Sequence, residues 1–112
     1  MKHHNFEPIT DGIIVRDDYV QKLPSGERKV VSVIGGTPYQ SGNCWQCPSE
    51  LRGVDERYPD FPANTALDAL AAALRVVVAN LANYVRAGNQ LFPCNEADDE
   101  NAEPVSEDEI WL

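Results

Sequence analysis

Apolar and polar residues follow two different periods along this chain. The first half alternates at a spacing of two, and a later stretch repeats at three and four, so the pattern predicts strands followed by a helix. Residues 12–22 are rich in β-branched and aromatic types, and Ile13, Val15 and Tyr19 fall on one face with Asp17 interrupting it. Leu23-Pro24-Ser25-Gly26-Glu27 is turn material. Residues 28–38 read as a second strand carried by Val30, Val31, Val33 and Ile34, apolar on both faces and therefore central to a sheet. Gly35-Gly36 marks a bulge or bend near its end.

After a loop at 39–43, residues 44–53 form a third strand. Trp45, Cys47 and Leu51 share one face with Ser49 between them, and Gln46 and Glu50 share the other. Pro48 cannot donate to a ladder, which suggests an edge position or a break. Short loops between these strands favour an antiparallel meander. Val54 to Pro62 is not helical, because each proline pushes its predecessor toward extended backbone. Thr65, with Asn64 as the alternative, caps a helix, and Asp68 stands in the capping-box position. No proline or glycine interrupts 65–87, and Gly88 follows where a helix terminates. At 1.5 Å per residue this rod is about 34 Å long. Leu67, Leu70, Leu74, Val77, Leu81 and Tyr84 form its core-facing stripe, with Val78 and Val85 beside it. Alanines at 69, 71, 72, 73, 79 and 82 keep the girth small. Asp68, Arg75, Asn83 and Arg86 mark the wet side. Arg75 and Asn80 interrupt the run 71–82, which favours a core helix over a membrane span.

The fold expected is thus α+β: an antiparallel meander of three to four strands on one long helix, any fourth strand coming from residues 105–112. At 112 residues the chain is one domain's length, and 43 % hydrophobic content supports a folded core. Eighteen acids oppose nine bases, a net charge of −9. Its distribution is uneven. Residues 1–95 hold ten acids and all nine bases, whereas 96–112 hold eight acids and no lysine or arginine. The reading is a near-neutral domain over 1–95 and an acidic segment over 96–112 that can dock through Ile110, Trp111 and Leu112. This balance disfavours direct nucleic-acid binding, which needs a basic surface, and an anionic membrane for the same reason. The start of the chain lacks the apolar core of a signal peptide, so the cytoplasm is the expected compartment.

The inventory for catalysis is thin, and no enzyme is expected. The two histidines, His3 and His4, lie in the first residues, far from any nucleophile. Asp17-Asp18 and Asp55-Glu56 are adjacent carboxylates that diverge on an extended chain. No phosphate loop or helix-borne metal motif occurs. Asp98-Asp99-Glu100 lacks the alternating ligands and turn glycine of a calcium loop. Cys44, Cys47 and Cys94 give one Cys-x-x-Cys spacing with no second half. On a strand Cys44 and Cys47 point to opposite faces, so they read as reduced structural thiols. No cofactor or metal is expected.

The strand Asn43-Cys44-Trp45-Gln46-Cys47-Pro48 and the helix opening Thr65-Ala66-Leu67-Asp68-Ala69-Leu70 resemble a family of small bacterial α+β proteins of unassigned function. In these a Trp-x-Cys strand precedes a helix opening on a Ser/Asp-x-x-Gln-Ala-Leu pattern. Trp45, Cys47 and Ala69-Leu70 match, Asp68 replaces the common glutamine, and the likeness covers about residues 28–85. The format is also similar to the immunity proteins of bacterial toxin systems, including contact-dependent growth inhibition. That similarity implies a small acidic protein that binds and neutralises a cognate toxin, often a nuclease, by occupying its basic cleft. The candidate contact residues are Asp98, Asp99, Glu100, Glu103, Glu107, Asp108, Glu109 and Trp111, since clustered charge steers encounter and a desolvated tryptophan anchors it. The alternative expectation is a non-enzymatic accessory or self-associating domain with an inert acidic tail, and a homo-oligomer fits either reading.

Overall fold

The computed structural model describes residues 7–111; His3, His4 and Leu112 lie outside them. Six strands, β1 (Ile13–Lys22), β2 (Arg28–Gly36), β3 (Tyr39–Ser41), β4 (Cys44–Arg52), β5 (Arg57–Ala63) and β6 (Leu91–Pro93), form one antiparallel sheet. One long helix, α1 (Ala66–Arg86), packs on it, so the fold is α+β. Glu50 of β4 lies opposite both Ile34 of β2 and Arg57 of β5, and Trp45 lies opposite both Gln40 of β3 and Ala63 of β5. Thus β2 and β3 follow one another along one side of β4, with β5 on the other side. The chain winds as a meander from β1 to β5, crosses the sheet through α1, and returns as β6 beside β1.

The strand count exceeds the expected three or four: residues 39–41, expected as loop, pair with β4 as β3, residues 91–93 pair with β1, and the proline-rich stretch forms β5. Tyr58-Pro59-Asp60-Phe61-Pro62 is extended, as proline dictates, but it also pairs with β4 along one side as an edge strand. Opposite Pro48 the β4–β5 register slips by one residue, where Pro48 and Pro59 withhold N–H donors. Pro48 is not at an edge. It occupies an interior strand at the gap between β2 and β3, and its ring lies against Gly36, where an added Cβ would come within 2.5 Å of Pro48 Cγ. The sequence break sensed at Pro48 is therefore a break in pairing. Residues 105–112 supply no strand among those described. The last strand is Leu91–Pro93, and Val105 joins it by one bond, its N–H donating to Leu91 O at 2.7 Å.

The ends of α1 follow the sequence. Thr65 is extended (φ −133°, ψ 160°) and its Oγ1 accepts the Asp68 N–H at 3.0 Å. Gly88 adopts φ +106° just past the Ala87 cap, and its N–H returns to Val85 O at 2.9 Å. The helix phase differs from the expected stripe. Ala69, Ala73, Val77 and Leu81 are the buried positions, whereas Leu67 is 73 % exposed. Small alanines let the helix settle onto Cys47, Trp45 and Phe61, with Leu70 half-buried on the same cluster, while Leu74 lies over Gly35. Val31, Val33, Leu51, Val77, Leu81 and Leu91 make the main core. On β1 the extra residue at Ile14 places Ile13 opposite Gly36 and Val15 opposite Gly35, so those two side chains do not share a face.

The sheet face away from α1 is closed by polar contacts and by the chain before β1. Ile9 is 4 % exposed; its N–H donates to Glu50 Oε1 at 2.9 Å, and its carbonyl accepts from Arg52 Nη2 at 2.8 Å. Arg52 also holds Glu50 at 2.9 Å. Burial alone would raise the Glu50 pKa, but the Arg52 guanidinium and the Ile9 N–H outweigh it and hold the carboxyl below its ordinary range. Asp18 is likewise held low, first by the Ser32 hydroxyl and then by Arg16.

Candidate functional site

α1 covers β2, β4 and β5. The same face of β1 is left to the acidic segment, which is ordered as a strap. It starts after β6 with a single 3-10 turn at Cys94–Glu96, runs through further turns, and ends in a second 3-10 turn at Glu107–Glu109. A reciprocal box caps that second turn: Ser106 accepts from the Glu109 backbone, and the Ser106 N–H donates to Glu109 Oε1 at 2.8 Å. The Ser106-x-x-Glu109 spacing could have been read from the sequence; it was masked by the density of acids around it.

Two ion pairs fasten the strap. Arg28 Nη1 meets Asp98, and Arg86 at the end of α1 grips Glu107 through Nε at 2.8 Å and through Nη2. The Arg86 guanidinium holds the Glu107 carboxyl below its usual range. Just past the second clamp Ile110 is half-buried against the main core. With Val15, Asp17, Tyr19, Val33, Leu74 and Val78 it lines a groove over β1. Burial raises the Tyr19 pKa, with the Asp17 and Glu109 carboxylates adding to it. Docking is therefore done by Ile110 rather than by the tryptophan. Trp111 is 79 % exposed and forms a shallow recess with Arg75, Val78, Ala79 and Ile110.

The eight candidate residues accordingly divide. Asp98 and Glu107 are committed to arginines within the chain. Glu109 serves the cap, and Asp99 accepts from the Asn101 N–H at 2.9 Å. Glu100, Glu103 and Asp108 are exposed. Asp99, Glu103 and Glu109 come together around one recess with Glu96, a residue the sequence reading left out of the site. Neither Asp108 nor Trp111 lines that recess; Trp111 lies beside Arg75, Val78 and Ala79 of α1. Glu96, Asp99, Glu100, Glu103, Asp108 and Glu109 have no cation partner among the described residues. Arg75, also missed, is the one described lysine or arginine with no ion pair, hydrogen bond or ring contact.

Chemistry elsewhere is structural. Among the described residues no three Cys, His, Asp or Glu side chains are grouped to hold a metal ion. All three cysteines are free; burial pushes the Cys47 thiol up to about 11, leaving it a weak nucleophile at neutral pH. The Tyr39 hydroxyl donates to Asp60 and is pushed up to about 12 by that bond. Searches against protein-family models, curated proteins and solved structures find nothing similar to this chain.

Proposed function

We propose that this chain is a non-catalytic inhibitor of a basic protein: an immunity protein that binds and neutralises a cognate bacterial toxin domain. The supporting observation is the strap. A solvated acidic tail would spend conformational entropy on being ordered by a partner, whereas this segment is fixed before binding by Ile110, Arg28 and Arg86. It presents six carboxylates without cation partners beside an exposed Trp111. Fixed charge of one sign accelerates encounter with a basic surface, and a tryptophan desolvated at the centre of an interface anchors it. A nuclease toxin carries such a surface, because its phosphate substrate demands one. Occupying that cleft in the cytoplasm would block the substrate without any chemistry by the inhibitor.

Co-expression with the product of the adjacent upstream gene tests the proposal. That product should arrest growth alone and lose its toxicity when this chain is present. The isolated complex should weaken steeply with salt, and Trp111→Ala should weaken it by about tenfold or more. A harmless neighbour, or toxicity unchanged by co-expression, would overturn the reading.

A further inference from the structure

The outer face of α1 carries a second, separate pattern. By length and composition α1 is the described helix apolar enough to cross a membrane, yet only 22 % of its apolar stretch is buried within the fold. The surface left over is not random. At 100° per residue Asp68, Arg75, Ala79, Ala82 and Arg86 fall on one line opposite the buried Ala69, Ala73, Val77 and Leu81. Asp68 and Arg86 stand at its two ends, about 27 Å apart along the axis. Between them lie the small Ala79 and Ala82 and the longer Arg75, with Val78 and the exposed Trp111 ring along one flank.

We propose that this face binds a second copy of the same chain, the two α1 helices running antiparallel. An antiparallel pair centred near Val77 brings Asp68 of each copy to Arg86 of the other, so a single two-fold contact satisfies both ends at once. Arg86 has the capacity. It uses three of its five N–H donors on Asn83 and Glu107, and two remain. The alanines permit close approach of the helices. Arg75 of each copy comes level with Ala79 of the other, beside that copy's Trp111, whose ring face suits a guanidinium. Charge order along the helix decides the orientation: a parallel pair would set Asp68 against Asp68 and Arg86 against Arg86.

The inference does not rest on the toxin reading, and its test uses this chain alone. Sedimentation of the full chain from about 10 to about 500 µM should show mass rising from one copy toward two, the range expected of a modest interface. Asp68→Arg alone places like charges at both ends, and Arg86→Asp alone does the same with the opposite sign. Each variant should remain a monomer across the range. An equimolar mixture of the two variants should dimerise, because each end then joins opposite charges. Circular dichroism of each variant checks that α1 is retained. A wild-type chain that stays monomeric, variants that dimerise as well as wild type, or a mixture that stays monomeric would each overturn the proposal.

Discussion

One face of this sheet is covered in two unlike ways. Over β2, β4 and β5 lies a helix of 21 residues, capped at both ends, whose alanines reach the sheet directly. Over β1 lies a strap of turns held by the small buried Ala97, the half-buried Ile110 and two exposed ion pairs. The helix satisfies its own backbone groups along its length. The strap has few backbone bonds to the rest of the fold, Val105 N–H to Leu91 O being one. Regions with few buried apolar contacts open first, so the acidic surface sits on the part of the molecule with the lowest local stability.

Thiol labelling of the native protein contrasts the two regions most sharply. Cys94 opens the strap and is exposed, while Cys47 is fully buried under α1 with its pKa raised. Cys94 should react freely, and Cys47 should react about a thousandfold more slowly or less, waiting for global unfolding. Equal rates would show that the helix-covered half opens as readily as the strap. Next in size is Leu51→Ala beneath α1, where the side chain is fully buried; urea unfolding should show a loss of about 2–5 kcal/mol. Ile110→Ala should cost about 1 kcal/mol, since Ile110 is only half-buried, while it accelerates hydrogen exchange at Val105 far more than at the core strands. A loss equal to that of Leu51→Ala would place Ile110 in the global core.

Acid response should divide in the same way. Asp18 and Glu50 have folded pKa values below their unfolded ones, so their contribution is present above about pH 4 and is lost as pH falls through the lowered values. Glu50→Gln should flatten that acid limb in thermal melts. Glu107→Gln gives the smallest effect, because both partners of its ion pair are exposed. It should leave the melting temperature in place and speed exchange of the Ile110 N–H, which donates to Glu107 O.

The split also marks what the sequence could disclose. The three long strands and both ends of α1 rest on local signals: alternation, a threonine cap, a terminal glycine. β5 escaped because proline argues against a strand in general, while an edge strand tolerates it. β6 has three residues, too few for any period. The helix phase departs from the leucine stripe at Leu67 because the small Ala69 and Ala73, and not the largest side chains, face the sheet. Within the strap the acids were plain to see. Which of them stay free was not, since that depends on Arg28 and Arg86, residues distant in sequence. Ile110 and Trp111 are adjacent and both apolar; only the three-dimensional packing sets Ile110 half-buried against the main core and leaves Trp111 exposed.

The placement of β6 beside β1 has a consequence for synthesis. The pairings among β1 to β5 join segments close in the chain and can form while translation continues. The pairing of β6 with β1 cannot, and neither can the bond from Gln21 to Asn89, which spans 68 residues. A nascent chain therefore leaves the ribosome with the outer edge of β1 unpaired, and the strap that covers its inner face emerges later still. The acidic surface thus takes shape only after the β1–β5 sheet on which it rests.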